Sequence, residues 1–281
     1  MGTVVNTNLN SIGVQHALAS THRSLDKSMA QLSTGLRINS AADDAAGLAI
    51  SNKLGTQVRS LNQAVRNAND SISMLQTADG ASGQMVAMLQ RMRELAIQSA
   101  NDSYDQDSRN ALQKEFADLQ TEIGNTISNT SWNGKKLLDL GAGSSKTVYF
   151  HVGPASDDNI TLPLASLNSG DIKIALGTTA TTVSIDSHSN AKNSLALIDK
   201  AITQIDTERG TWGAMMNRLA YAADNATNVS MNTSASRSRI MDADYAQATA
   251  EMARAMILDQ AGSAMLSQAN QQPMYVLALL R

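Results

Sequence analysis

Cysteine is absent from the 281 residues, which removes disulfide frameworks, thiolate nucleophiles and cysteine-based zinc sites together. It leaves the compartment open, because a secreted chain can do without disulfides. Aromatics are nearly as scarce, at 3% of the chain, whereas Met alone numbers 14. Aromatic rings normally supply the largest buried areas of a compact core. A chain this poor in them buries Ala, Leu, Ile, Val and Met contacts instead, as helix bundles and coiled coils do. Only 3 Pro interrupt 281 residues, and Pro is the residue that breaks helices. Charge of one sign is missing too: 22 Lys and Arg face 25 Asp and Glu, a net of −3. No basic excess calls for nucleic acid or an anionic membrane surface.

Long apolar runs are also lacking. The first charged side chain is Arg23, so the opening stretch has to be tested as a signal peptide or a membrane span. Asn6, Asn8, Asn10, Ser11, Gln15, His16 and Ser20 interrupt every run that either would need. The segment is amphipathic, expected to be neither cleaved nor inserted.

What is present is helical periodicity at both ends. Leu18, Leu25, Met29, Leu32 and Leu36 step by 7, 4, 3 and 4, the spacing of a coiled-coil seam. Val58, Leu61, Val65, Ala68, Ile72 and Leu75 alternate steps of 3 and 4, and the stripe continues through Leu89, Met92 and Ala96. No Pro lies between Gln57 and Ala100, so this predicts one helix of roughly 65 Å, weakest at Gly80 and Gly83. After the turn Asn101-Asp102-Ser103, a second helix is read from Leu112, Phe116, Leu119, Ile123 and Ile127. It stops at Trp132-Asn133-Gly134, a strong turn signal.

The period then changes to two. Val148, Phe150 and Val152 predict a strand, as do Ile160, Leu162 and Leu164, then Ile172, Ile174 and Leu176, then Val183 and Ile185. Helix returns from Leu195 through Ile205, Trp212 and Leu219 to Ala226, followed by a Ser/Thr/Asn-rich joint at 228–239. A last helix, carrying Met252, Met256, Leu258, Leu266, Leu277 and Leu280, is apolar almost all round. Such a helix has to be covered. The two sticky ends cannot cover each other completely, so they predict association with copies of the chain or with a partner. The fold class expected is mainly α: a long antiparallel bundle or coiled coil formed by the N- and C-terminal segments, with a small central β region.

The chemistry-bearing residues form no catalytic constellation. The four His (His16, His22, His151 and His188) include no i, i+4 pair, and no His-Glu-x-x-His, P-loop or Gly-x-Ser-x-Gly occurs. Asp43-Asp44 and Asp157-Asp158 read as turns or caps, and the Met85, Met88 and Met92 stripe as core or subunit contact. Asn69, Asn159 and Asn225 head Asn-x-Ser/Thr triplets, which are not read as glycan sites. No enzyme, cofactor or metal is expected.

Leu32-Ser-Thr-Gly-Leu-Arg-Ile-Asn-Ser-Ala-Ala-Asp-Asp-Ala-Ala-Gly-Leu-Ala-Ile50 resembles the N-terminal signature of bacterial flagellin. The run from Ala253-Arg-Ala-Met-Ile-Leu-Asp-Gln-Ala-Gly262 to Asn270, with the Val276-Leu-Ala-Leu-Leu-Arg281 end, is similar to its C-terminal signature. Gln90-Arg-Met-Arg-Glu-Leu-Ala-Ile-Gln-Ser-Ala100 and Trp132-Asn-Gly134 resemble its first-domain helices. The likeness covers residues 1–140 and 190–281 and is collinear. It implies the self-polymerising subunit of the flagellar filament that drives swimming, a short form with little or no outer domain.

The resemblance also implies an inner coiled-coil polymerisation domain of residues 1–44 with 236–281, and a rod-like helical domain of 45–140 with 190–235. A small β-hairpin region, 141–189, belongs to the rod. Polymerisation contacts are expected at Leu18, Leu25, Met29, Leu32, Leu36, Met252, Met256, Leu258, Leu266, Leu277 and Leu280. Toll-like receptor 5 recognition of the monomer is implied at Gln90, Arg91, Leu95, Leu112 and Glu115, of which Leu95 and Leu112 serve equally well as packing residues. Other implied partners are an export chaperone on the C-terminal helix, the filament cap and the hook-associated proteins, with no nucleic acid and no membrane insertion. Export through the flagellar channel and an extracellular filament follow, as do O-linked sugars in 141–190 in some family members. The alternative role is a hook–filament junction protein, whose terminal helices are similar.

Overall fold

The computed structural model describes residues 7–141, 145–168, 170–176 and 183–278. The chain divides into two compact units, one of residues 1–58 with 231–281 and one of residues 59–230. Six helices and two small hairpins make up the described chain: α1 (Leu9–Thr34), α2 (Ala45–Ser99), α3 (Gln106–Asn129), β1 (Ser131–Trp132), β2 (Lys135–Lys136), β3 (Ser145–His151), β4 (Asn159–Ala165), α4 (Gly170–Ala175), α5 (His188–Met241) and α6 (Tyr245–Ala278). The mainly α class expected from periodicity is what is observed.

The continuous unit is a three-helix bundle of α2, α3 and α5. Its core is Leu75, Met85, Leu89, Met92 and Leu95 from α2, Phe116, Ile123 and Ile127 from α3, and Ile198, Ile205, Trp212 and Leu219 from α5. Both Phe and one of the two Trp are buried here, so the few aromatics are spent on this unit. α2 begins at Ala45, earlier than the stripe predicts, and passes unbroken through Gly80 and Gly83, around which no other side chain crowds. At their surfaces Arg93 bonds Asp199 at 2.7 Å, and Arg209 bonds Asp79 at 2.7 Å, fixing α2 and α5 antiparallel. Asp105 caps α3 by accepting the Ser108 N–H, and the Ser108 hydroxyl first, then this N–H, lower its carboxyl below the ordinary range.

The joint expected at 228–239 is helix, because α5 runs through it to Met241. The stretch contains neither Gly nor Pro. Its hydroxyls are absorbed along the helix or by a neighbour: Ser236 donates to the Asn232 carbonyl, and Ser230 to Asn62 Oδ1 of α2.

The β region is smaller than the alternation predicts. Asn133 and Gly134 both take positive φ, at 48° and 75°, and close the β1–β2 hairpin. β3 and β4 pair antiparallel from Ser145↔Ala165 to His151↔Asn159, laying Phe150, Leu162 and Leu164 on the bundle. The third predicted strand is helix α4, whose Ile172, Ala175 and Leu176 come to one side at i, i+3 and i+4. In so short a segment an apolar pattern fits either period.

The fourth predicted strand, at Val183 and Ile185, is buried without any ladder partner. Side chains take the partner's place. Gln113 accepts the Ile185 N–H at 2.5 Å, Ser194 donates to the Ser184 carbonyl at 2.8 Å, Gln120 to the Val183 carbonyl at 3.3 Å, and Ser99 to the Ile185 carbonyl. All three long helices thus clasp one segment, satisfying backbone groups that burial would otherwise orphan.

Phe116 is fully buried between these helices. Phe116→Ala is expected to cost about 3–5 kcal/mol by cavity formation, read as a shift in the denaturant midpoint of the 59–230 unit.

Candidate functional site

In the other unit, α1 and α6 form an antiparallel pair along a seam with steps of 3 and 4 on both helices. α1 contributes Ser11, Val14, Leu18, Thr21, Leu25, Ser28 and Leu32. α6 contributes Ala248, Met252, Ala255, Asp259, Gly262, Leu266 and Ala269. Half of these side chains are small or hydroxylic. Gly262 matters most, because a Cβ there would lie 2.8 Å from Leu18 Cδ1. Polar contacts set the register: Asn8 donates to the Ala269 carbonyl at 2.7 Å, Ser11 to Asn270 Oδ1 at 2.8 Å, and Tyr245 to the Leu32 carbonyl at 3.3 Å. His22 Nε2 lies 3.2 Å from Asp259 Oδ1.

The seam takes up only part of the large apolar side chains. Leu9, Ile12, Met29, Met256, Ile257, Leu258 and Met265 are all exposed. The candidate polymerisation residues therefore fall into two sets. Leu18, Leu25, Leu32, Met252 and Leu266 are half-buried in the seam, while Met29, Met256 and Leu258 face outward. Leu36 lies beyond the end of α1, half-buried in a bridge to Asp242. Leu277 is within α6, where only the backbone is described, and Leu280 lies outside the described residues.

The end of the pair where α1 stops and α6 begins is built from two connected turns. Gly35 terminates α1 in the left-handed region, φ 71°, with its N–H on the Gln31 carbonyl. The loop after it is stitched to the α5–α6 connection: Ala243 N–H donates to the Gly35 carbonyl at 2.9 Å, Arg37 N–H to the Met241 carbonyl at 2.6 Å, and the Arg37 guanidinium to the Ile240 carbonyl at 2.7 Å. Asp43 accepts from the Ser40 N–H and hydroxyl and from the Asn39 N–H, and pairs with Lys27 at 3.3 Å. These donors, Ser40 first, hold its carboxyl below the ordinary range. Asp44 accepts the Gly47 N–H at the start of α2. The two acidic neighbours are turn and cap residues.

The candidate receptor-contact residues lie on α2 and α3 of the 59–230 unit. Gln90, Arg91 and Glu115 are exposed, Leu112 is half-buried, and Leu95 is in the core at 1% exposure. Arg91 bridges the helices, bonding Glu115 at 2.9 Å and Glu94 at 3.0 Å. The Glu115 bond is the larger cause of the rise in its pKa. Sequence reasoning missed Glu94 as a member of this cluster, although its i, i+3 spacing from Arg91 was a usable signal. Among the described residues no group of His, Asp and Glu could hold a metal ion, and no helix is long and apolar enough to cross a membrane.

Paired chain ends with exposed large apolar side chains, on the same chain as a separately packed helical bundle, define a subunit whose surface calls for further copies or a partner. Comparison with known proteins supplies the family. Residues 5–142 match the bacterial flagellin N-terminal helical region, and residues 195–280 match the bacterial flagellin C-terminal helical region. A flagellin of Halalkalibacterium halodurans is 42% identical over 99% of this chain and 100% of its own. The flagellar filament 33 kDa core protein of Treponema phagedenis is 35% identical over 99% and 100%. Flagellin E of Vibrio cholerae is 33% identical over the whole of both chains, in an alignment of 380 positions against the 281 residues here. The crystal structure of Bacillus cereus flagellin superposes with a TM-score of 0.50 at 31% identity, covering 57% of this chain and 88% of that one. The chain belongs to the bacterial flagellin family and is a structural subunit of the extracellular flagellar filament. Its 281 residues make it a short form.

Gly262→Val keeps ordinary helix propensity but adds bulk where Leu18 packs. It is expected to slow seeded filament growth at least about tenfold while leaving the unfolding of the 59–230 unit unchanged.

Proposed function

We propose that this subunit polymerises by burying the outward apolar face of α1 and α6 against the same helices of neighbouring copies. The observation that carries the reading is that the seam, half of it small or hydroxylic residues, leaves seven large apolar side chains of the two helices exposed. Fully covering a large aliphatic side chain is worth about 1.5–3 kcal/mol. Halved for the area already covered, seven give roughly 5–10 kcal/mol, an upper bound. Association itself costs about 4–15 kcal/mol. Two copies meeting in solution therefore gain little, whereas a copy joining a growing end, where several neighbours cover it at once, gains more. That favours growth from seeds over spontaneous assembly. On this reading residues 1–44 with 236–281 act as the inner polymerisation domain, and 45–140 with 190–235 as the rod-like domain carrying the 141–189 hairpin region.

The same face accounts for protection before assembly. An export chaperone covering 241–280 would shield α6 while the chain is carried to the flagellar channel, and the filament cap and hook-associated proteins would meet the growing end. Full-length chain added to sheared filament seeds is expected to give long filaments by negative-stain microscopy. A version lacking residues 1–40 and 241–281 is expected to give none. If the full chain stays monomeric with seeds and precipitant, a role at the hook–filament junction replaces this one.

The free monomer also offers a surface for Toll-like receptor 5. The supporting feature is an exposed Arg91–Glu115 pair between two helices, with Gln90 beside it and Leu95 and Leu112 as packing beneath. Arg91→Ala or Glu115→Ala is expected to reduce receptor activation by the monomer at least about tenfold in a reporter-cell assay, with helical content by circular dichroism unchanged.

A further inference from the structure

Methionine, the residue this sequence uses in place of aromatics, is divided between two environments. Met85 and Met92 are fully buried in the helix bundle, and Met215 and Met241 nearly so. On the α1–α6 pair, by contrast, Met29 is 51% exposed, Met256 42% and Met265 59%. All three lie outside the seam positions, and Leu9, Ile12, Ile257 and Leu258 of the same two helices are exposed as well. A thioether is apolar and adapts to irregular gaps, which suits it to a face that has to repack against neighbouring copies. It is also the one side chain of that face that a mild oxidant can make polar.

We propose that Met29, Met256 and Met265 form a peroxide-sensitive modification site that decides whether a free subunit can assemble. The inference rests on the polymerisation reading of this face. Hydrogen peroxide transfers one oxygen to the thioether: the Sδ lone pair attacks, the O–O bond breaks, an S–O bond forms, and the second oxygen leaves as water. Sulfur is oxidised by two electrons and the peroxide is reduced by the same two. The sulfoxide is a strong hydrogen-bond acceptor, and nothing in an apolar contact donates to it, so burying it carries the penalty of an unpaired polar group. The folded subunit is spared, because these side chains are exposed outside the seam positions, and Met85, Met92 and Met215 of the bundle are buried. Once buried in a filament the three thioethers are out of reach, so the switch acts on subunits before they are incorporated.

The test begins with partial oxidation of the full-length monomer by hydrogen peroxide, followed by seeding, sedimentation and peptide mass spectrometry of pellet and supernatant. Met231, exposed on α5, reports that the oxidant reached the protein, and Met85 and Met92 report that the fold stayed closed. Sulfoxide at Met29, Met256 and Met265 is expected to be depleted at least about tenfold in the pellet relative to the supernatant. An even distribution would overturn the proposal, and needs no variant to read. In the second arm the Met29→Leu, Met256→Leu, Met265→Leu chain, equally apolar but inert to peroxide, is expected to keep elongating after oxidation. Loss of elongation equal to that of the unsubstituted chain would assign the effect to other Met residues and sink the idea. Failure of the untreated, unsubstituted chain to elongate would instead count against the polymerisation reading itself.

Discussion

Two helices can approach closely where small side chains recur along their seam, and on α1 and α6 they do: Ser11, Thr21 and Ser28 on one helix, Ala248, Ala255 and Gly262 on the other, with Gly262 taking Leu18 of α1 against it. Everything distinctive about this unit depends on that constraint. Close approach permits side chain to backbone bonds across the pair, such as Asn8 to Ala269 and Tyr245 to Leu32, and these fix register where apolar contacts alone would let the helices slide. The same choice displaces the Leu, Ile and Met residues to the outside. A seam of large residues would have made a stable two-helix hairpin with a polar exterior, and that hairpin would have had no reason to assemble.

The 59–230 unit follows the opposite rule. Its seam positions hold Leu, Met, Ile, Phe116 and Trp212, and its exterior is charged and cross-linked by Arg93–Asp199, Arg209–Asp79 and Arg91–Glu115. Exposed pairs of this kind are worth at most about 1 kcal/mol each. Their value is in orientation, and the core supplies the stability. One chain thus carries a bundle with a buried core of its own and, on the proposed reading, a pair of ends that neighbouring copies complete.

The helices were legible because periodicity over 20 or more residues is hard to counterfeit, and the flagellin signatures lie where backbone chemistry demands particular residues. Gly35 is an αL cap, and Asp43 and Asp44 organise the turn into α2. The short elements were less legible. Ile172, Ile174 and Leu176 alternate as a strand would, yet a short helix buries Ile172 with Ala175 and leaves Ile174 and Leu176 half-buried. Val183 and Ile185 are buried but form no strand, and the partners of this segment are Gln113, Gln120, Ser99 and Ser194, side chains whose reach no local pattern encodes. The face assignments on the terminal helices were half visible. Apolar spacing located Leu18, Leu25 and Leu32 correctly in the seam, but it also drew in Met29, since a seam of Ser, Ala and Gly leaves no hydrophobic trace to contrast with.

The stitching of Gly35 and Arg37 to residues 240–243 joins chain segments more than 200 positions apart. Contacts at that separation, like the still longer one from Asn8 to Ala269, close larger loops than any cross-helix bond cited within the contiguous residues 59–230, where Arg93 to Asp199 spans 106 positions and Asn62 to Ser230 spans 168. The order of events is written into this difference. A chain emerging end first can complete its bundle while one terminus is still absent, and the polymerising pair comes into being only when the last helix arrives to meet the first.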